Sequence, residues 1–327
     1  MQKNLPSQSS DGSAVGVNLN PQKECDVRRR RLLQLSIGLS VFGSSSLSFA
    51  ADDIIAKRPI PGTDEMLPVV GLGTSDEFNT TSTQEMAELG EVLRLLLSNG
   101  ATLVDTAPSY GNSESVLGQL FESLSITDEI FVSTKVRSRG KQDGLAQMEE
   151  SQSLLAKRPL DLMMVHSLFD ADTQLQNLRE WQEQGRVRYI GVTHHRTSEQ
   201  PELEKYVATQ EMDFLQCNYS VLEPEAENRL LPLAADQGLA VMINRPFQNG
   251  EYFSKVKGKD LPEWAAEFDC ESWAQFTLKY ILSNPHVTCV IPATSSPKHL
   301  VDNVRAGMGR LPDQAMRKRM REYILTI

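Results

Sequence analysis

The stretches TLVD (102–105), IFVSTK (130–135) and LDLMMVH (160–166) decide the fold. Each is a short apolar run closed by a polar residue, Asp105, Lys135 or His166, and the closing residues follow one another at 30 and 31 positions. That is room for one strand and one helix per step. Parallel strands need a crossover of a dozen or more residues, usually a helix, so the regular step reads as successive βα units. In a parallel (β/α)8 barrel of the TIM type, the residues that end the strands converge on one rim, where catalysis is found. An acid, an amine and an imidazole would then meet there with Tyr110, five residues beyond Asp105.

The tyrosine gives this group its chemistry. A phenol with a reference pKa of about 10 is a poor proton donor at neutral pH until a neighbouring cation lowers it, and Lys135 is the available cation. Asp105 would hold the ammonium charged and in place. His166 could hydrogen-bond the oxygen that takes the proton. The sequence has no HExxH, CxxC or GxSxG to supply a metal cage or a nucleophile. His194 and His195 are adjacent, and neighbours on a strand point to opposite faces, which makes a poor two-ligand metal site, so no metal is expected. A proton donor without a nucleophile suits carbonyl reduction, in which a cofactor delivers hydride to carbon.

Outward from these three runs the repeat continues in both directions. Leu67 to Leu72 should contain the first barrel strand, with Gly71 and Gly73 permitting close backbone approach. Ser82 and Glu85 read as a capping box before a helix whose Met86, Leu89, Leu93, Leu96 and Leu97 face the sheet. Strand–helix pairs follow at 102–105/113–123, 130–135/143–156, 160–165/173–184, 187–192/198–208, 213–217/226–237, 239–243/272–283 and 287–291/297–307, with a final helix at 313–324. The long connection 245–271 carries Tyr252, Phe253 and Trp264. Such loops usually serve function, here by covering a cofactor or shaping the pocket.

VDTAPSYGNSESVLG, VSTK, VHS, GRVRYIGVT, QCNYS and IPATSSPKHLVDN, in that order, resemble the landmarks of the aldo-keto reductases over residues 66 to 308. The resemblance implies a (β/α)8 barrel that binds a nicotinamide cofactor without a Rossmann domain, in keeping with the lack of GxGxxG. It makes Asp105, Tyr110, Lys135 and His166 the catalytic tetrad, with Tyr110 as the acid. Matching positions assign cofactor contacts to Thr74, Thr193, His194, Gln216, Asn244, Arg245, Phe247, Thr294, His299, Asp302 and Asn303. The chain departs from the family where Ser-Asn becomes Thr193-His194 and where Tyr-Ser-Pro-Leu becomes Asn244-Arg245-Pro246-Phe247. The tyrosine that stacks on nicotinamide is thus missing, Phe247 would lie along the diphosphate, and Arg245 would add a charged contact. Ala293 and His299 stand where many members have lysine and arginine for the 2′-phosphate. Thr294, Lys298 and His299 could still bind a phosphate, so NADP(H) is favoured, with NAD(H) the alternative. The implied partner is a small-molecule carbonyl substrate. A second class of function is a nucleotide-binding sensor or regulatory barrel with little turnover.

Composition bounds the rest. Hydrophobic content of 40% and charged content of 23% describe a globular chain with ample core. With 33 basic against 43 acidic residues there is no basic surface of the kind that binds nucleic acid. Residues 1–50 read as a signal peptide, in which Arg28 to Arg31 precede Leu32, Leu33 and a weakly apolar run ending Ser48-Phe49-Ala50. That run is too short, and too rich in Ser and Gly, to span a membrane. RRRRLLQL also resembles a twin-arginine signal with Arg29 and Arg30 as the pair, which implies the folded-protein export machinery as a partner and a periplasmic or otherwise exported product. Residues 51–65 would be a linker and 66–327 the barrel with its C-terminal helix. Cys25 would leave with the leader, and Cys217, Cys270 and Cys289, an odd number at no framework spacing, read as reduced and buried.

Overall fold

The computed structural model of the protein describes residues 54–327. The expected signal peptide, its arginine run and Cys25 lie outside them. A short antiparallel hairpin, β1 (Lys57–Pro59) and β2 (Met66–Pro68), comes first. Eight parallel strands follow: β3 (Leu72–Gly73), β4 (Leu103–Asp105), β5 (Phe131–Val136), β6 (Leu160–His166), β7 (Val187–Thr193), β8 (Phe214–Asn218), β9 (Ala240–Asn244) and β10 (Cys289–Val290). They pair in chain order from β3 to β10, and bridges Val70–Val290 and Gly73–Ala293 join the last strand to the first. The architecture is a (β/α)8 barrel.

The hairpin corrects two expectations. Lys57–Pro59, placed in a linker, is a strand, and Leu67 and Pro68, at the start of the stretch expected to contain the first barrel strand, belong to its partner Met66–Pro68. The barrel strand itself starts only at Leu72. The reason is packing: Ile60 and Leu67 are buried with Leu103, Leu162, Met164, Phe214 and Met242 in the core inside the barrel, so the hairpin closes the end opposite the catalytic rim. Alternation along β6 sorts the two cores, with Leu162 and Met164 inside the barrel and Met163 and Val165 against the helices. Gly71 and Gly73 do allow the expected close approach. A Cβ on Gly71 would lie 2.4 Å from the Leu103 side chain, and one on Gly73 would lie 2.8 Å from the Ile291 carbonyl oxygen.

The helices are α1 (Thr83–Ser98), α2 (Ser113–Leu124), α3 (Lys141–Leu154), α4 (Ala171–Glu183), α5 (Gln200–Thr209), α6 (Leu230–Asp236), α7 (Glu251–Val256), α8 (Trp273–Leu282), α9 (Pro297–Arg305) and α10 (Gln314–Thr326). The capping box at α1 is only half made. Ser82 accepts from the Glu85 amide, but the Ser82 amide donates to Thr80 Oγ1, and that hydroxyl bonds the Glu85 carboxylate. The long 245–271 connection is not structureless, since it folds α7 and a 3-10 turn over Glu263–Phe268. Among the described residues no helix is long and apolar enough to cross a membrane. Cys217, Cys270 and Cys289 are buried free thiols, as expected.

Candidate active site

The strand ends bring the four tetrad candidates together. Lys135 Nζ donates to Asp105 Oδ2 and to the Thr106 carbonyl, both at 2.7 Å, and the lysine is 1% exposed. The other Asp105 oxygen accepts from Ser133 Oγ at 2.7 Å and Gln216 Nε2 at 3.0 Å, so both carboxylate oxygens are engaged. Lys135 Nζ lies 5.3 Å from the centre of the Tyr110 ring, and the His166 ring meets that ring edge-on at 6.1 Å. Tyr110 stands on a loop fixed by Gly111, whose φ of +61° suits glycine. A Cβ there would lie 2.3 Å from Asn79 Oδ1, an atom that accepts from the Asn112 amide at 2.9 Å.

Burial sets the protonation states. It would lower the Lys135 ammonium, but the charges of Asp105, Tyr110 and Glu114 prevail and hold it above the usual lysine range. His166 is lowered to about 3 by burial and then by the Lys135 and Arg137 charges, so its imidazole is neutral. For Tyr110 the balance differs from the sequence expectation. Lys135 does pull the phenol down, but burial pushes it up by more, leaving it above its ordinary value. The lysine therefore limits the rise and keeps transfer of a proton from a buried phenol within reach.

These groups face a cavity of about 590 Å³ that is also lined by Thr74, Thr193, Gln216, Asn244, Arg245 and Phe247. Lys135 stands behind Asp105 and does not line it. Thr193 donates to Gln216 Oε1 at 2.9 Å, and Asn244 Nδ2 donates to the same oxygen at 3.3 Å. Arg245 Nη1 donates to the His195 carbonyl at 2.9 Å, which anchors the cation beside the cavity. Phe253 of α7 lines the cavity too. Tyr252 and Trp264 instead pack inward, so the long connection contributes one aromatic to the pocket rather than three.

The histidine pair at the rim differs from expectation, and four further cofactor candidates stand outside the cavity lining. His194 and His195 follow β7 rather than lie on it, and their rings stack at 5.2 Å and 3° instead of pointing to opposite faces. His195 lines the cavity, while His194 is buried behind it and accepts from the Arg196 amide at 3.2 Å. Thr294, His299, Asp302 and Asn303 do not line the cavity. Thr294 Oγ1 accepts from the Ser296 amide at 3.1 Å, His299 is exposed, and Asn303 is buried in α9. Both Asp302 oxygens are engaged, by Ser272 Oγ and Gln275 Nε2 at 2.7 Å, which ties α9 to the start of α8. Sequence reading passed over Asp76, Glu77 and Ser167, which line the cavity. Their position just past the ends of β3 and β6 was the signal that could have found them.

The chain belongs to the aldo/keto reductase family, described as such and matching over residues 69–322. It is 27% identical over 217 residues to the aldo-keto reductase YhdN of Bacillus subtilis, covering 61% of this chain and 63% of that one. It is 28% identical over 179 residues to an NADH-specific methylglyoxal reductase of Escherichia coli, covering 46% and 54%. The matched segments thus span less than two thirds of either relative. In fold it resembles a Klebsiella pneumoniae aldo/keto reductase solved with NADP and acetate, at a TM-score of 0.67 and 23% identity over 80% of this chain and 93% of that one.

Proposed function

We propose that the protein is an NAD(P)H-dependent oxidoreductase that interconverts an aldehyde or ketone with an alcohol, with Tyr110 as the general acid. The observation that carries the reading is the buried Lys135–Asp105 pair at 2.7 Å beneath a tyrosine and a neutral histidine that both line one cavity. A sensor barrel would not need a buried ion pair beneath a phenol. Its cost is of several kcal/mol in desolvation per ion, and here it keeps a cation next to a proton donor.

The residues present fit a nicotinamide. Among the described residues Asn244 Oδ1 is buried without a hydrogen-bond partner next to Gln216, an acceptor of the kind a carboxamide N–H would satisfy. Gln216, Asn244 and Thr193 would hold that end, with Arg245 and Phe247 along the phosphates. When bound, the cofactor supplies the hydride. The protein's own groups do the rest. Tyr110 gives its proton to the substrate oxygen, Lys135 offsets the negative charge left on the phenolate, and Asp105, fixed by Ser133 and Gln216, keeps the ammonium in place. Neutral His166 has one N–H to offer the same oxygen, which orients the carbonyl.

NADP(H) is the cofactor we favour, with NAD(H) second. His299 and Lys298 are exposed at the start of α9, where a 2′-phosphate would meet them, and the relatives include both an NADP complex and an NADH-specific enzyme. Arg28 to Arg31 ahead of an apolar run support twin-arginine export and cleavage after Ala50. The test is substrate-dependent loss of 340 nm absorbance from NADPH and NADH across a panel of short aldehydes. Tight cofactor binding with no turnover of any aldehyde would favour the regulatory reading instead.

A further inference from the structure

We propose that Arg137 and Arg139, stacked on Phe169, form a subsite for the anionic tail of a carboxylate- or phosphate-bearing carbonyl substrate. The inference rests on the oxidoreductase reading and names the substrate class it would act on.

Register places the first arginine. Lys135 pairs with Met164 and Val136 with Val165, and from that last pair the two segments continue into Arg137 and His166. Ser133 and Lys135 point to the barrel interior, where both meet Asp105, while Thr134 reaches Glu114 of α2 and Val136 joins the outer core. Arg137 lies just past the end of β5 and does not itself line the cavity, but its charge is felt by His166, which does. Its guanidinium lies 4.9 Å from the centre of the Phe169 ring, and that of Arg139 lies 5.5 Å from it. The Phe169 amide donates to the His166 carbonyl at 3.1 Å, which ties the ring to the wall of the site.

Both arginines are exposed, and among the described residues neither has a salt bridge. Asp170, the nearby acid, uses its carboxylate on the Gly140 amide at 2.6 Å and the Thr173 hydroxyl at 3.0 Å, and the Arg139 charge adds to what holds it below the usual carboxylate range. Lys141, the next cation along the chain, is already paired with Glu180 at 2.6 Å. Two guanidiniums held over one aromatic ring, neither in a salt bridge among the described residues, suit a planar or tetrahedral oxyanion. They stand out on a chain of formal net charge −10.

Position around the barrel separates this subsite from the cofactor. Gln216, Asn244 and Arg245 stand at the ends of β8 and β9, whereas Arg137 and Phe169 follow β5 and β6. The acids Asp76 and Glu77 follow β3, and Glu77 is held by the Ser295 amide at 3.0 Å. An anionic tail would therefore run along the His166 and Ser167 wall, away from both. Ser167, Leu168 and Asp170 adopt left-handed φ of 54°, 53° and 50°, a costly run for residues other than glycine that sets Phe169 beneath the arginines.

The experiment compares matched substrates: 4-oxobutanoate against butanal, and glyceraldehyde 3-phosphate against glyceraldehyde. The reading is the ratio of kcat/KM, anionic over neutral, in the wild type, R137Q, R139Q and the double variant. The ratio should favour the anion in the wild type and fall about tenfold or more per arginine, through KM. Raising salt should lower it in the wild type and little in the double variant. Whichever pair responds identifies carboxylate or phosphate as the headgroup. An unchanged ratio for both pairs in the double variant would overturn the subsite. If no aldehyde is turned over, the oxidoreductase reading fails by itself. Calorimetric titration of glutarate and inorganic phosphate into the wild type then decides the anion site, with binding that disappears in the double variant supporting it and no binding refuting it.

Discussion

Removing the two members of the ion pair beneath Tyr110 in separate variants should cost, summed, more than removing both at once. In K135M, Asp105 keeps its hydrogen bonds from Ser133 and Gln216 on Oδ1, but Oδ2 loses its only partner while 3% of the residue is exposed. Breaking a buried pair from one side costs about 3–5 kcal/mol. In D105N the amide oxygen can still accept both donors, yet its NH₂ faces the ammonium, donor against donor. In the double variant the charge and the clash both disappear, and what remains is a partnerless amide N–H and the Thr106 carbonyl that Lys135 had satisfied at 2.7 Å. Each of these costs about 1–3 kcal/mol. The double variant should therefore be about as stable as either single one, with a coupling energy of about 3 kcal/mol from urea unfolding monitored by circular dichroism. K135M and the double variant should also lose activity by about 10²-fold or more, because the phenol lacks its cation. Single-variant losses that add to within 1 kcal/mol would show that the pair is not coupled in the way its geometry indicates.

Y110F should lower kcat by about 10²–10⁴-fold while the cofactor dissociation constant, read by fluorescence quenching, stays within about twofold; full activity would remove Tyr110 from its role. Because His166 is held to about 3, kcat/KM for reduction should show no ionisation near pH 6.5, and it should decline only at alkaline pH as the raised Tyr110 phenol loses its proton. An acid limb near 6.5 that vanishes in H166Q would contradict this. Replacing Arg29 and Arg30 together by lysine keeps the charge but should leave unprocessed precursor in the cytoplasm, and normal processing of that variant would leave only an ordinary signal peptide.

The periodic features of the fold were legible in the sequence. Asp105, Lys135 and His166 end neighbouring strands because the step between them is one strand and one crossover helix, a constraint of chain length and hydrogen bonding that needs no knowledge of the partner. The same step predicted that Tyr110 would join them. Features set by contacts between distant residues were not legible. Met66–Pro68 is apolar like a barrel strand, and only the space inside the barrel, filled by Ile60 and Leu67, assigns it to a plug. Asp302 has the residue type for an adenine contact, and only the structure shows that its oxygens also bond Ser272 and Gln275 and so tie α9 to α8. The phenol's ionisation depended on the size of two opposing effects, burial and the Lys135 charge, and sequence supplies the sign of each without the depth that decides between them. Thus the sequence by itself determined which residues reach the rim, because strand period and crossover length are local properties. Tertiary structure alone decided which of them still have a free donor, acceptor or charge there, because that depends on what every other element has already used.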